Sequence, residues 1–76
     1  MKELLTYMVA NLVSEPDAIS VEEKVEGDEI TYELRVAADD MGRIIGRHGR
    51  IAKEIRTLMK AAGNRENKKV SVEICD

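Results

Sequence analysis

Ile44-Ile45-Gly46-Arg47-His48-Gly49-Arg50-Ile51-Ala52-Lys53-Glu54-Ile55-Arg56 sets two glycines three residues apart, puts a cation and the chain's one histidine between them, and frames the group with isoleucines. Glycine has no Cβ, so it adopts positive φ at little cost and lets another backbone come close. The two glycines therefore either turn the chain between two helices or also admit something negative. A turn needs only one glycine and places no demand on the pair between, which favours the second use.

The flanks read as helices. From Arg50 onward Ile51, Ile55, Leu58, Met59 and Ala62 recur as an apolar stripe, with Arg50, Lys53, Arg56 and Lys60 mostly off it. Gly63-Asn64 is the expected end of this helix. Upstream, Asp39 or Asp40 is expected to cap a short helix, Met41 to Ile45, that stops at Gly46. Before it, Ile19, Val21 and Val25 alternate with polar residues, and after Gly27-Asp28 so do Ile30, Tyr32, Leu34 and Val36. That pattern predicts a β-hairpin turned by Gly27. Val70, Val72 and Ile74 predict a third strand, placed parallel to the second because a helical crossover joins them. In all three strands the second face is largely polar, so the sheet is expected to be covered on one side only. Leu4, Leu5, Met8, Val9, Leu12 and Val13 predict an opening helix that Pro16 stops by about Ser14. The fold class is α+β: two layers, order α-β-β-α-α-β, a three-stranded mixed sheet with three helices on one face.

Seventy-six residues allow one domain, spanning 1–76. A single cysteine, Cys75, excludes an internal disulfide, and one histidine leaves no zinc ligand set. No stretch approaches the roughly 20 apolar residues of a membrane span, so a cytoplasmic protein without metal, cofactor or small-molecule substrate is expected. The net charge of −3 hides an asymmetry. Residues 1–42 set eleven acids against three bases, whereas residues 43–69 set nine bases against two acids. Such a cluster is either a solvated helix face or a local field that attracts an anion, since charges beyond about 8–10 Å are screened at physiological salt.

Ile44-Ile45-Gly46-Arg47-His48-Gly49, the following Lys53-Glu54-Ile55-Arg56 and the element order together resemble the KH domain, in its type II arrangement and in the form of the small stand-alone bacterial KH proteins. The resemblance covers essentially the whole chain. One departure is Ala52, where many KH domains carry a larger aliphatic residue. It implies a non-catalytic module for single-stranded RNA whose GxxG loop clamps about four nucleotides, and a homodimer or pairing with a larger KH-type RNA-binding partner. It also implies a role in RNA chaperoning or post-transcriptional regulation.

The residues suit that role. Gly46 and Gly49 bare the main chain, and Gly49 opens a helix whose N–H groups favour a phosphate. Arg43, Arg47, Arg50 and Lys53 add charge; His48 is either an exposed loop residue or a polar contact. Ile44 and Ile45 are expected to floor a groove, with Arg65, Lys68 and Lys69 as its opposite wall. Two tyrosines, Tyr7 and Tyr32, give no evident stacking platform of the kind other RNA readers use. Asp39-Asp40 has no nucleophile or second base near it in sequence, so it is not read as an acid-base pair. The other readings are a helix-turn-helix DNA binder, for which the first helix is short, a P-loop, whose GxxxxGK[ST] spacing is missing, and a KH fold serving as a protein-interaction module.

Overall fold

A computed structural model of the chain describes residues 1–46 and 49–75. Helix α1 (Lys2–Ala10) leads through a 3-10 turn (Pro16–Ala18) to strands β1 (Ser20–Glu26) and β2 (Glu29–Arg35). Helices α2 (Ala38–Ile45) and α3 (Arg50–Arg65) follow, and β3 (Lys69–Cys75) ends the order. The α-β-β-α-α-β order and mixed sheet agree with the expectation. β2 is central, antiparallel to β1 and parallel to β3 in a register running from Glu29↔Lys69 to Arg35↔Cys75.

Alternation along β2 turns Ile30, Tyr32 and Leu34 toward the helices, where they are buried, and leaves Glu29, Thr31, Glu33 and Arg35 on the other face. The helices answer with Leu5 and Val9 from α1, Ile44 from α2, and Ala52, Ile55 and Met59 from α3. Ala52 thus packs in the core as a small residue. The β1–β2 turn has Gly27 at φ +61°, the first of two loop residues between the paired Glu26 and Glu29. On the uncovered face the Lys24 ammonium meets the Glu33 carboxylate at 2.7 Å. Among the described residues no helix is long and apolar enough to cross a membrane.

Four local expectations give way to longer-range contacts. α1 ends at Ala10, not near Ser14, because the next segment has other partners: the Asn11 side chain donates to the Tyr7 carbonyl at 2.8 Å, and the Ser14 and Glu15 N–H groups are drawn to Asp40. α2 begins at Ala38, earlier than Met41, and neither Asp39 nor Asp40 caps it. Leu58, read as part of the buried stripe, is 54% exposed on the flank of α3.

The fourth concerns Gly63. α3 does not stop there but runs on to Arg65. Its end is a Schellman arrangement, with Lys68 N–H donating to the Gly63 carbonyl at 2.9 Å, Asn67 N–H to the Asn64 carbonyl at 3.2 Å, and Asn67 in the left-handed region at φ +57°. Gly63 serves packing instead: a Cβ there would lie 2.3 Å from Val70 Cγ2 and 3.0 Å from the Lys68 carbonyl oxygen. Glycine is what lets α3 lie close on β3.

Gly63→Ala is therefore expected to lose about 1–3 kcal/mol through overpacking. Gly42→Ala, in the middle of α2 with nothing within 4 Å of the new methyl, is expected to gain about 0.5–1 kcal/mol from reduced backbone freedom in the unfolded chain. Urea unfolding midpoints of the two variants should move in opposite directions.

Candidate nucleic-acid interface

The turn between α2 and α3 is built by glycine at both ends. Gly46 closes α2, its N–H donating to the Gly42 carbonyl at 2.8 Å, with φ +49° and ψ −168°, close to a backbone region that is essentially glycine's own. A Cβ at Gly46 would sit 3.4 Å from the Arg43 carbonyl oxygen. Gly49 precedes α3 in the left-handed region, φ +60° and ψ +30°, with open space where a Cβ would stand. Among the described residues no side chain caps α3 and no acid lies in its first turn, so its leading N–H groups keep their capacity for an anion. Arg47 and His48 fall outside the described residues.

Farther along α3, from Arg56 onward, a groove runs along the open edge of the sheet. Its walls are Arg56, Lys60 and Asn64 of α3 on one side and Lys69–Val72 of β3 on the other, enclosing about 530 Å³. The three α3 residues stand four apart, which stacks them on one flank of the helix, and Lys53 continues the row at i−3 of Arg56. β3 is an edge strand, so one side of its backbone has no strand partner. Arg56 reaches across to it, Nε donating to the Val72 carbonyl at 3.3 Å. Three cations and no carboxylate line this groove. The uncovered sheet face has the opposite character, with Glu26, Glu29, Glu33 and Glu73 around a depression that holds one lysine, Lys24.

The other residues singled out in the sequence divide. Arg43 is exposed in the last turn of α2, and Arg50 is exposed at the start of α3. Ile45 is 46% exposed beside the turn, whereas Ile44 is fully buried and supports the surface from below. Lys69 lines the groove. Lys68 turns to the hairpin, its Nζ 3.5 Å from an Asp28 carboxylate oxygen, while Lys69 N–H donates to the Asp28 carbonyl at 2.8 Å. Arg65, nine residues on from Arg56, sits about half a turn round α3 and away from the groove. Arg56, Lys60, Asn64 and, apart from Lys69, the individual residues of the β3 edge were not among the predicted site residues. The signal for the first three was their four-residue spacing on the polar side of the helix.

The opposite flank of α3 is apolar. Tyr7, Met8 and Leu12 of α1 and its following turn, with Ile51, Ile55 and Leu58 of α3, line a shallow groove between the two helices. Tyr7 is 71% exposed there, while Tyr32 is buried in the core. Among the described residues no three histidine, cysteine or carboxylate side chains come together as a metal site.

A family model described as "KhpA/KhpB, KH domain" matches residues 2–74. The chain is 50% identical over 74 residues to the RNA-binding protein KhpA of Clostridium perfringens, covering 97% of this chain and 99% of that relative. It is 51% identical, with the same coverage, to the RNA-binding protein KhpA of Clostridium acetobutylicum. Over 76 residues it is 47% identical to the RNA-binding protein KhpA of Chlamydia trachomatis, covering all of this chain and 97% of the relative.

One ionised group supports the turn from behind. Asp40 is 0% exposed. Its Oδ1 accepts from the Ser14 N–H and the Ser14 hydroxyl, both at 2.9 Å, and its Oδ2 from the Glu15 N–H at 3.2 Å. The Ser14 N–H bond, outweighing the opposing effect of burial, holds the Asp40 carboxyl below its ordinary range, with Arg43 adding a smaller attraction. A carboxyl depressed on folding stabilises the protein above its unfolded-state pKa, and that stability is lost as pH falls through the folded value. Asp40→Asn is expected to unfold at lower urea than wild type at pH 7, with the two midpoints converging as pH falls through the depressed folded-state value and the carboxyl becomes protonated in folded and unfolded protein alike.

Proposed function

The chain belongs to the KhpA/KhpB KH-domain family, and on that premise we propose that it is a non-catalytic, cytoplasmic RNA-binding protein, a single KH domain that clamps about four unpaired nucleotides. The observation that carries this is the cationic groove along the open edge of β3, bordered by the helix that follows the paired positive-φ glycines. The names of the relatives, RNA-binding proteins at about half identity, point the same way.

The division of labour follows from chemistry. Phosphates sit against the bare main chain of Gly46 and Gly49 and the first turn of α3, with Arg47 as a forked donor and His48 as a polar contact. Arg43, Arg50 and Lys53 raise the local potential around the turn. Bases lie over Ile45 and the groove, where Arg56 and the outward edge of β3 meet their polar groups, and Lys60 and Lys69 hold the far end of the strand. Phosphate contacts fix position; only the base-edge contacts select sequence.

So few nucleotides give modest affinity, and linked sites multiply it through effective concentration. The protein accordingly works as a homodimer or with a KhpB-like RNA-binding partner, in RNA chaperoning or post-transcriptional regulation. The apolar groove between α1 and α3 supports the association, because contiguous exposed apolar surface marks interaction sites. It also favours the second reading, a KH fold whose main task is protein contact and whose own RNA affinity is weak.

Titration of short single-stranded RNA separates the two. Changing Arg47 and His48 together to aspartate should leave the circular dichroism spectrum unchanged and abolish most binding, and wild-type affinity should fall with salt at a log-log slope of roughly −0.7 per phosphate neutralised. Equal affinity in wild type and variant removes the clamp. Leu58→Glu should shift sedimentation toward monomer while leaving the intrinsic affinity of one domain for a four-nucleotide strand in place.

A further inference from the structure

The buried Asp40 carboxylate does something that neither packing nor helix capping explains. It is the one buried charged side chain among the described residues, and it lies one helical turn before Ile44, so both occupy the same face of α2. Ala38, Asp39, Gly42, Arg43 and Ile45 are exposed and Met41 is half-buried, so α2 touches the rest of the protein along a narrow stripe with one buried apolar residue, Ile44. An apolar contact is non-directional, and a helix held by one is free to rock about it. Hydrogen bonds are directional, and Asp40 makes three of them to a segment 25 to 26 residues away in sequence.

We propose that Asp40 is a positioning residue for the glycine turn: its bonds to Ser14 and Glu15 fix the tilt of α2 and so where Gly46 and Gly49 are presented. This rests on the reading of that turn as the RNA clamp. Gly46 lies six residues on from Asp40, about 9 Å of helix, so a tilt of roughly 10° displaces the turn by about 1.5 Å. Binding constellations tolerate only about 0.5 Å. A buried ion pair or charge is often no more stabilising than an apolar replacement, and its best-attested use is to specify one arrangement. Here the arrangement specified joins the segment after α1 to the element that ends in the turn.

The sign of the effect distinguishes positioning from electrostatics. Asp40→Asn removes a negative charge near an anion site, which by itself strengthens RNA binding. Loss of position weakens it. Affinity for a short single-stranded RNA is measured well below the melting temperature of each protein, beside Ile30→Val, which trims the core at the far end of β2 without touching the bonds. The expected result is a roughly tenfold weaker Kd for Asp40→Asn and a near wild-type Kd for Ile30→Val, the tenfold corresponding to about 1.4 kcal/mol. In free protein, the Gly46 and Gly49 amide resonances should move in Asp40→Asn and stay in Ile30→Val. Unchanged or tighter binding by Asp40→Asn overturns the proposal, as does equal weakening in both variants. Should Asp40→Asn fail to fold, Ser14→Ala removes one bond at an exposed residue and should weaken binding about threefold; unchanged binding there overturns it too. If the wild type binds no RNA, the clamp reading fails, and the two amide resonances alone decide whether Asp40 positions the turn.

Discussion

Everything in this fold follows from the parallel pairing of β2 with β3. Two parallel neighbours cannot be joined by a tight turn, because the chain must travel back the length of the sheet before the second strand begins. Residues 36–68 make that journey as two helices with a corner between them, and the corner falls beside the ends of the strands at Arg35 and Cys75. α3 then runs back antiparallel to β3 and lies close on it, because Gly63 removes the side chain that would stand between them. The same pairing leaves β3 at the sheet edge, with a basic helix alongside. Helix and open edge thus form one surface, with the turn at the head of that helix, as a consequence of topology.

Charge is distributed to suit that surface. A net charge of −3 argues against a polyanionic partner if the molecule is treated as a point. The sheet separates the signs instead: carboxylates gather on its uncovered face and cations along the β3 edge, on elements that follow one another in the chain. With screening over about 8–10 Å, an anion in the groove feels mainly Arg56, Lys60 and Lys69. The acidic remainder keeps the molecule soluble and discourages adventitious contact with polyanions elsewhere on its surface.

What could be read from the chain was whatever local pattern encodes. Period-two alternation located the strands, 3.6-residue periodicity located α3, and the spacing of Gly46 and Gly49 located the turn. What escaped depends on partners distant in sequence. Asp40 looked like a helix cap because an aspartate before an apolar run usually is one, yet Ser14 and Glu15 claim its oxygens from across the fold. Gly63 looked like a terminator, since helices commonly end at glycine, but its reason is Val70, and Asn67 does the terminating. Leu58 fits the apolar period of α3 and still faces out, because α1 is too short to cover it. Arg65 likewise belongs to the basic cluster in sequence, yet nine residues on from Arg56 it stands on the other flank of the helix in space.

Those two flanks give α3 a double task. One carries the Arg56–Lys60–Asn64 row toward β3; the other carries Ile51 and Leu58 toward α1 and solvent. A rigid sixteen-residue helix with its central stripe in the core holds both surfaces in fixed relation. Contact along the apolar flank would orient two basic grooves relative to one another without altering either. On the proposed reading, in which one groove holds only a few nucleotides, that geometry matters more than any further contact inside one groove, because effective concentration depends on how the second site is presented to the same strand. Asp40, which ties the segment following α1 to α2, links the helix bordering the apolar groove to the one that ends in the glycine turn.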